Sequence, residues 1–176
     1  MQFKSVLFAS LFAFAYASTI QDVLNDLVTL KSTLVTLDNA INSFPDSGGS
    51  LADALAINDD AGAVRDAIDA TTPDAVNVDL PVSVDDANSV LAAIQDLQTN
   101  IDSALTGIVA KKPAFDALPV GGVSALVAQD LNDLNTSNSA LEDALIAATP
   151  PEVLDAAEQT RSEIDAAFAT AIAAYS

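Results

Sequence analysis

Between Ser18 and Phe44 the apolar residues Ile20, Val23, Leu27, Leu30, Leu34, Leu37, Ile41 and Phe44 recur at alternating steps of three and four. That spacing is the mark of a helix that buries one stripe. Thr19 with Asp22 three residues later gives it a capping-box start, and "PDSGG" at 45–49 stops it. A weaker second helix runs from about Leu51 to Ala70, carried by Leu51, Leu55, Val64 and Ile68 and diluted by Gly62 and the Asn58-Asp59-Asp60 run. "TTPDAVNVDLP" at 71–81, with two prolines and no helical period, reads as a linker. The third helix starts at Ser83, with Asp86 completing the box, and runs to about Ala110 along Val84, Ala87, Leu91, Ile94, Leu97, Ile101, Leu105 and Ile108. "VGG" at 120–122 leads into a fourth, with Val123, Leu126, Val127, Leu131, Leu134, Leu141 and Leu145 inward. For the fifth, Thr149 is the expected N-cap, Pro150 the first helical residue and Glu152 the partner three residues after the cap. Val153, Leu154, Ala157, Ile164, Phe168, Ile172 and Tyr175 follow. No segment alternates with period two over enough residues to make a strand. Long amphipathic helices joined by short turns predict an all-α fold, an antiparallel bundle of about five helices.

The first residues stand apart from this pattern. "MQFKSVLFASLFAFAYA" has Lys4 as a positive start, an apolar run and Ala15-Tyr16-Ala17 as a cleavage site, which together spell a secretory signal peptide over 1–17. The run is too short for a membrane span, which needs about 20 apolar residues. Residues 18–176 then form a single helical-bundle domain, secreted to the extracellular space. Losing Lys4 makes the mature chain one unit more negative than the −19 of the whole sequence. So acidic a surface repels nucleic acid and anionic lipid headgroups, which makes both poor partners for it. Mean hydropathy is nonetheless positive at +0.35, so the alanines, leucines, isoleucines and valines that raise it must be inside. The chain has no cysteine and no histidine. Disulfides, Ser-His-Asp and Cys-His catalysis and the usual zinc sites are thereby excluded, and neither a metal nor a cofactor is expected. Carboxylates are abundant but fall on the polar faces of helices, as in "LNDLNTSNSALEDAL", where they read as solvated surface. No catalytic constellation emerges. An acid-catalysed hydrolase would need two carboxylates facing one cleft.

The interruptions of the stripes carry more. Leu134 and Leu141 on the fourth helix leave a gap of seven whose inward place falls to Ser137 or Asn138. On the fifth, Ala157 and Ile164 leave the same gap, filled by Thr160 or Arg161. Asn138 and Thr160 are equidistant in sequence from a turn centred on Thr149, so an antiparallel hairpin sets them at one height. One polar layer therefore crosses an apolar interior. Either it fixes helix register as a buried polar pair, or its side chains bend outward to solvent, or it anchors a polar group in an apolar cavity, with Arg161 able to meet a carboxylate. The inward residues that would wall such a cavity are Leu27 and Leu34 of the first helix and Leu91, Ile94 and Ile101 of the third. Leu134 and Leu141 of the fourth helix and Ile164 and Phe168 of the fifth complete that wall. Lys111 and Lys112, adjacent in a chain with six basic residues, have a simple reading as cations at the end of the third helix, before Pro113. They are also candidate contacts for an anionic headgroup.

The order of "LDNAINSF", "ALAINDDAGAVRDAIDATT" and "SVDDANSVLAAIQDLQTNIDSALTGIVAKKPAFD", followed by two closing helices, resembles the fungal hydrophobic surface binding protein A family, also called cell wall galactomannoprotein-like. The "KKPAFD" ending of the third helix is the most specific part. The resemblance implies a small secreted or wall-associated bundle without enzymatic activity. Its expected partner is a fatty acid or similar amphiphile held in the bundle interior. The alternative it offers is adsorption to hydrophobic solids such as wax or polyester, with recruitment of a secreted hydrolase. An internal cavity supports the first and an exposed apolar patch the second.

Overall fold

The computed structural model describes residues 17–176, so apart from Ala17 the expected signal peptide lies outside the described residues. Five helices follow in order: α1 (Ile20–Ser43), α2 (Leu51–Val76), α3 (Val84–Asp116), α4 (Val123–Ala148) and α5 (Pro151–Ala174). The spacing-based expectation for α1 holds from Val23 on, with Val23, Leu27, Leu30, Leu34, Leu37 and Ile41 all buried, while Ile20 at its start is half-buried. Thr19 closes its N-terminus with a reciprocal capping box: its hydroxyl accepts from the Asp22 amide at 3.2 Å, and the Asp22 carboxylate accepts from the Thr19 amide at 2.8 Å. Ser83 caps α3 through the Asp86 amide.

Two expected boundaries move. The segment expected as a linker from Thr71 continues α2 as far as Val76, with Pro73 inside the helix. The stripe of α2 is Ala54, Ile57, Ala61, Val64, Ile68, Thr71 and Ala75, which keeps helical period to the end but uses small residues. Leu55, expected inside, is 45% exposed. Thr71 and Thr72 fit within the helix because each hydroxyl donates to the carbonyl four residues back, at 2.9 and 3.0 Å. Likewise α3 does not end at "KKP" but passes through Pro113 to Asp116. Proline deprives the carbonyl four residues earlier of its donor, but continuing the helix keeps Phe115 two turns beyond Ile108 on the same buried stripe. There its ring meets Phe44 with centroids 4.6 Å apart. Gly49 makes room for that pair, since a Cβ there would lie 2.5 Å from the Phe44 ring.

The start of α5 shifts by one residue. Thr149 closes α4 instead of capping α5, Pro150 is the N-cap and Pro151 is the first helical residue. A proline disfavours helical backbone in the residue before it, so the Pro150-Pro151 pair forces the sharp break between the two helices. Gly122 takes the left-handed backbone (φ 98°) that opens α4.

The helices close into a ring. α1 packs between α2 and α3, α2 packs on α4, α4 on α5, and α5 returns to α3, while α3 and α4 meet sparsely across the middle. Such a ring has an interior that five helix faces must fill.

Candidate ligand-binding cavity

An opening lies toward the end of the ring that carries the α2–α3 and α4–α5 connections. It is lined by Val90, Leu91, Ile94, Leu97 and Ile101 of α3, by Leu141, Leu145 and Ile146 of α4, and by Val153, Ala157 and Ile164 of α5. Ile20, Val23 and Leu30 of α1 and Ala75 of α2 complete it. The space between these side chains amounts to about 910 Å³ with its open mouth included, of which about 80 Å³ admits the centre of a water molecule. Leu91, Ile94 and Ile101 of this wall are half-buried, whereas Leu97 between them is buried in the core. Small-molecule sites are commonly about 300–1,000 Å³ and mostly apolar; this one is likewise mostly apolar, and its enclosed space is smaller. Smaller cavities continue it along the bundle. The next shares Leu30, Leu97, Ile101 and Asn138 with it, and a third shares Leu37, Ala104, Leu105 and Leu134 with the second.

One polar layer interrupts the apolar wall, formed by Asn138 and Glu142 of α4 and Thr160 and Arg161 of α5. Asn138, Glu142 and Thr160 are buried. Asn138 and Thr160 both line the cavity, but they do not pair with each other. Asn138 Nδ2 donates to Glu142 Oε1 at 2.8 Å. Thr160 Oγ1 donates to the Ala156 carbonyl at 3.1 Å and accepts from Gln95 Nε2 of α3 at 3.3 Å. The second Glu142 oxygen, Oε2, is buried and has no hydrogen-bond partner. Arg161 Nε is 3.6 Å from it, and the guanidinium is engaged elsewhere, with Nη1 2.7 Å from Asp143 and Nε 3.7 Å from Asp165. Burial pushes the Glu142 carboxyl up to about 7, and the Asp165 and Asp143 charges add to this against the Asn138 hydrogen bond and Arg161. Near neutral pH this carboxyl is therefore divided between its acid and its anion.

Of the residues singled out from sequence, Leu91, Ile94, Ile101, Leu141 and Ile164 line this cavity together with Asn138, Thr160 and Arg161. Leu34, Leu134 and Phe168 line the adjoining one, and Leu27 is buried in the core, outside the walls of all three cavities. Lys111 and Lys112 line none of the three. Nor do they sit in the last turn of α3, because the helix runs four residues past Lys112. They are tied to surface carboxylates instead, Lys111 to Asp46 of the α1–α2 connection at 2.7 Å and Lys112 to Asp116 at 3.0 Å. Replacing both lysines by alanine is expected to leave fatty-acid affinity unchanged in a titration; a clear loss would place the headgroup at this end. Glu142 went unseen among the surface acids of its segment. Once Asn138 is inward, the residue four positions on shares its face, and that is the signal that finds it.

A closed ring of amphipathic helices around an apolar cavity with one buried polar layer defines a ligand-binding helical bundle. The sequence profile of the family described as hydrophobic surface binding protein A matches residues 20–147, and the chain belongs to that family. No curated protein sequence matches the chain. Among solved structures, AFMP4P, crystallised in complex with palmitic acid, is 35% identical with a TM-score of 0.81, over 89% of this chain and 99% of that one. Ligand binding domain 1 of the Penicillium marneffei MP1 protein, complexed with arachidonic acids, is 16% identical with a TM-score of 0.80, over 89% and 98% of the two chains. Domain 2 of the same protein, complexed with multiple arachidonic acids, is 18% identical with a TM-score of 0.75, over 89% and 93%. At those two identities the likeness shows the fold alone. No helix among the described residues is long and apolar enough to cross a membrane.

Proposed function

We propose that the protein is a secreted, non-enzymatic carrier that holds a fatty acid or similar amphiphile inside its bundle. The hydrocarbon chain lies along the apolar wall and the headgroup meets the layer of Asn138, Glu142, Thr160 and Arg161. The observation that carries this reading is the coincidence of an apolar cavity with a buried, half-satisfied carboxyl on its wall. Fully apolar interiors need no such group, and buried polar groups are otherwise paired. The palmitic acid complex of the 35% identical AFMP4P supports the choice of ligand class. Among the described residues Glu142 is the one carboxylate lining this cavity, so the acid pair of a hydrolase is not assembled there. Removal of a signal peptide over 1–17, release of a single 18–176 domain and association with the cell wall belong to the same reading.

Coating of wax or polyester with recruitment of a hydrolase is the second reading. Val76, Leu80 and Val84 are exposed around the α2–α3 connection, the segment that also supplies Ala75, Val78 and Val82 to the cavity. Their place beside the cavity suits ligand entry as well as adsorption. A variant that fills the cavity separates the two. Ala157 lies on the wall one turn ahead of Arg161, and Ala157→Phe is expected to weaken palmitate binding at least tenfold, a loss of about 1.4 kcal/mol, with helical circular dichroism preserved. Unchanged binding in a folded Ala157→Phe protein would move the ligand out of this cavity.

A further inference from the structure

Glu142 is more than a polar spot on the wall, because its bonding is incomplete in a specific way. Oε1 is held by Asn138, while Oε2 is buried and faces no donor or acceptor within hydrogen-bond distance. The charged groups near it are Asp143 on its own helix and Arg161 and Asp165 on α5. The faces that α1 and α2 turn to the cavity are apolar, and α3 adds to the layer only the neutral Gln95 amide, which donates to Thr160. Arg161 is already shared among three carboxylates, so nothing here offsets one more negative charge. A ligand carboxylate that enters this layer meets a group of its own kind. Two ionised carboxylates in hydrogen-bond contact within a poorly solvated site repel strongly, and such pairs hold a single proton between them.

We propose that Glu142 shares one proton with the carboxyl group of a bound fatty acid, so that ligand binding takes up a proton from solution. This rests on the fatty-acid reading above. Oε2 carries the proton and donates to one ligand oxygen, or the ligand acid donates to Oε2; either way one O–H···O bond satisfies both groups and the couple bears one negative charge. No bond other than O–H is made or broken. The arrangement selects for a headgroup that is a weak acid or a neutral hydrogen-bonding group. It selects against phosphate monoesters, whose second charge the layer cannot offset. It also gives the carrier a release condition, since raising the pH removes the shared proton.

Titration calorimetry of the delipidated full chain with decanoic acid, a monomer-soluble probe, tests this in pairs of buffers that differ in ionisation enthalpy. At about pH 8 the uptake should approach one proton per ligand, and affinity should fall about tenfold for each further pH unit. Glu142→Gln keeps an acceptor for Asn138 and offers a permanent N–H to the ligand, so whatever its affinity it should bind with no proton uptake. Binding by the parent protein without proton uptake would overturn the proposal and place the headgroup on Arg161. A pH slope that survives in Glu142→Gln would overturn it too. Should that variant fail to fold, the proton count of the parent decides alone. No decanoate binding at any pH would remove the fatty-acid reading itself, a result distinct from pH-independent binding.

Discussion

Phe115→Ala is expected to destabilise the protein by about 3–5 kcal/mol, the range for removing a buried phenylalanine and leaving part of its volume empty. Phe115 is 2% exposed and its ring packs on Phe44, so neighbouring side chains have little freedom to collapse into the space. For a chain of this size the loss corresponds to a drop in melting temperature of roughly 10 °C or more. Phe115 lines the cavity at the far end of the bundle and not the one that holds the polar layer. Ligand affinity measured well below the melting point should therefore persist. A small effect on melting would mean that α3 ends before Pro113 in solution and that Phe115 is not in the core.

The second large effect is electrostatic and has a definite sign. Glu142 goes from an ordinary value of 4.5 to about 7 in the folded protein, chiefly through burial. Between those two values the native state holds a proton that the unfolded state has released, so stability falls as pH rises. The contribution is complete below about pH 4.5 and is lost as pH climbs through about 7, on the order of 3 kcal/mol in total. Glu142→Gln removes the titration. In urea unfolding of ligand-free protein it should match the parent under acidic conditions and exceed it by up to about 3 kcal/mol near pH 8. Repulsion among the other acids affects both proteins alike, so their difference isolates Glu142. Parallel stability profiles would show that this carboxyl is solvated.

How legible each part was follows from the size and chemistry of the residues that carry it. α1 could be read completely because leucine, isoleucine and valine occupy every inward place. α2 could not, because Ala54, Ala61, Thr71 and Ala75 fill more than half of its stripe and small or polar residues leave a weak period. Its extension through Pro73, like that of α3 through Pro113, runs past a local stop signal and buries Ala75 and Phe115 beyond the two prolines. The polar layer was visible as two seven-residue gaps in the stripes of α4 and α5. Its partners were not, since Gln95 reaches Thr160 from α3 and Glu142 sits among acids that do face solvent. A buried carboxyl differs from its neighbours only by where the bundle puts it. The lysine pair was conspicuous for its rarity, and rarity in a very acidic chain reflects surface pairing with Asp46 and Asp116.

Native mass spectrometry shows whether the bundle encloses an amphiphile. The protein would be measured as purified, again after delipidation, and then during titration with palmitate. A discrete complex with one palmitate per chain is expected, lost on delipidation, restored on titration and weakened in Ala157→Phe. An unliganded mass at every stage, from protein that still adsorbs to a wax film, would contradict it and leave the cavity as an unused gap in the ring.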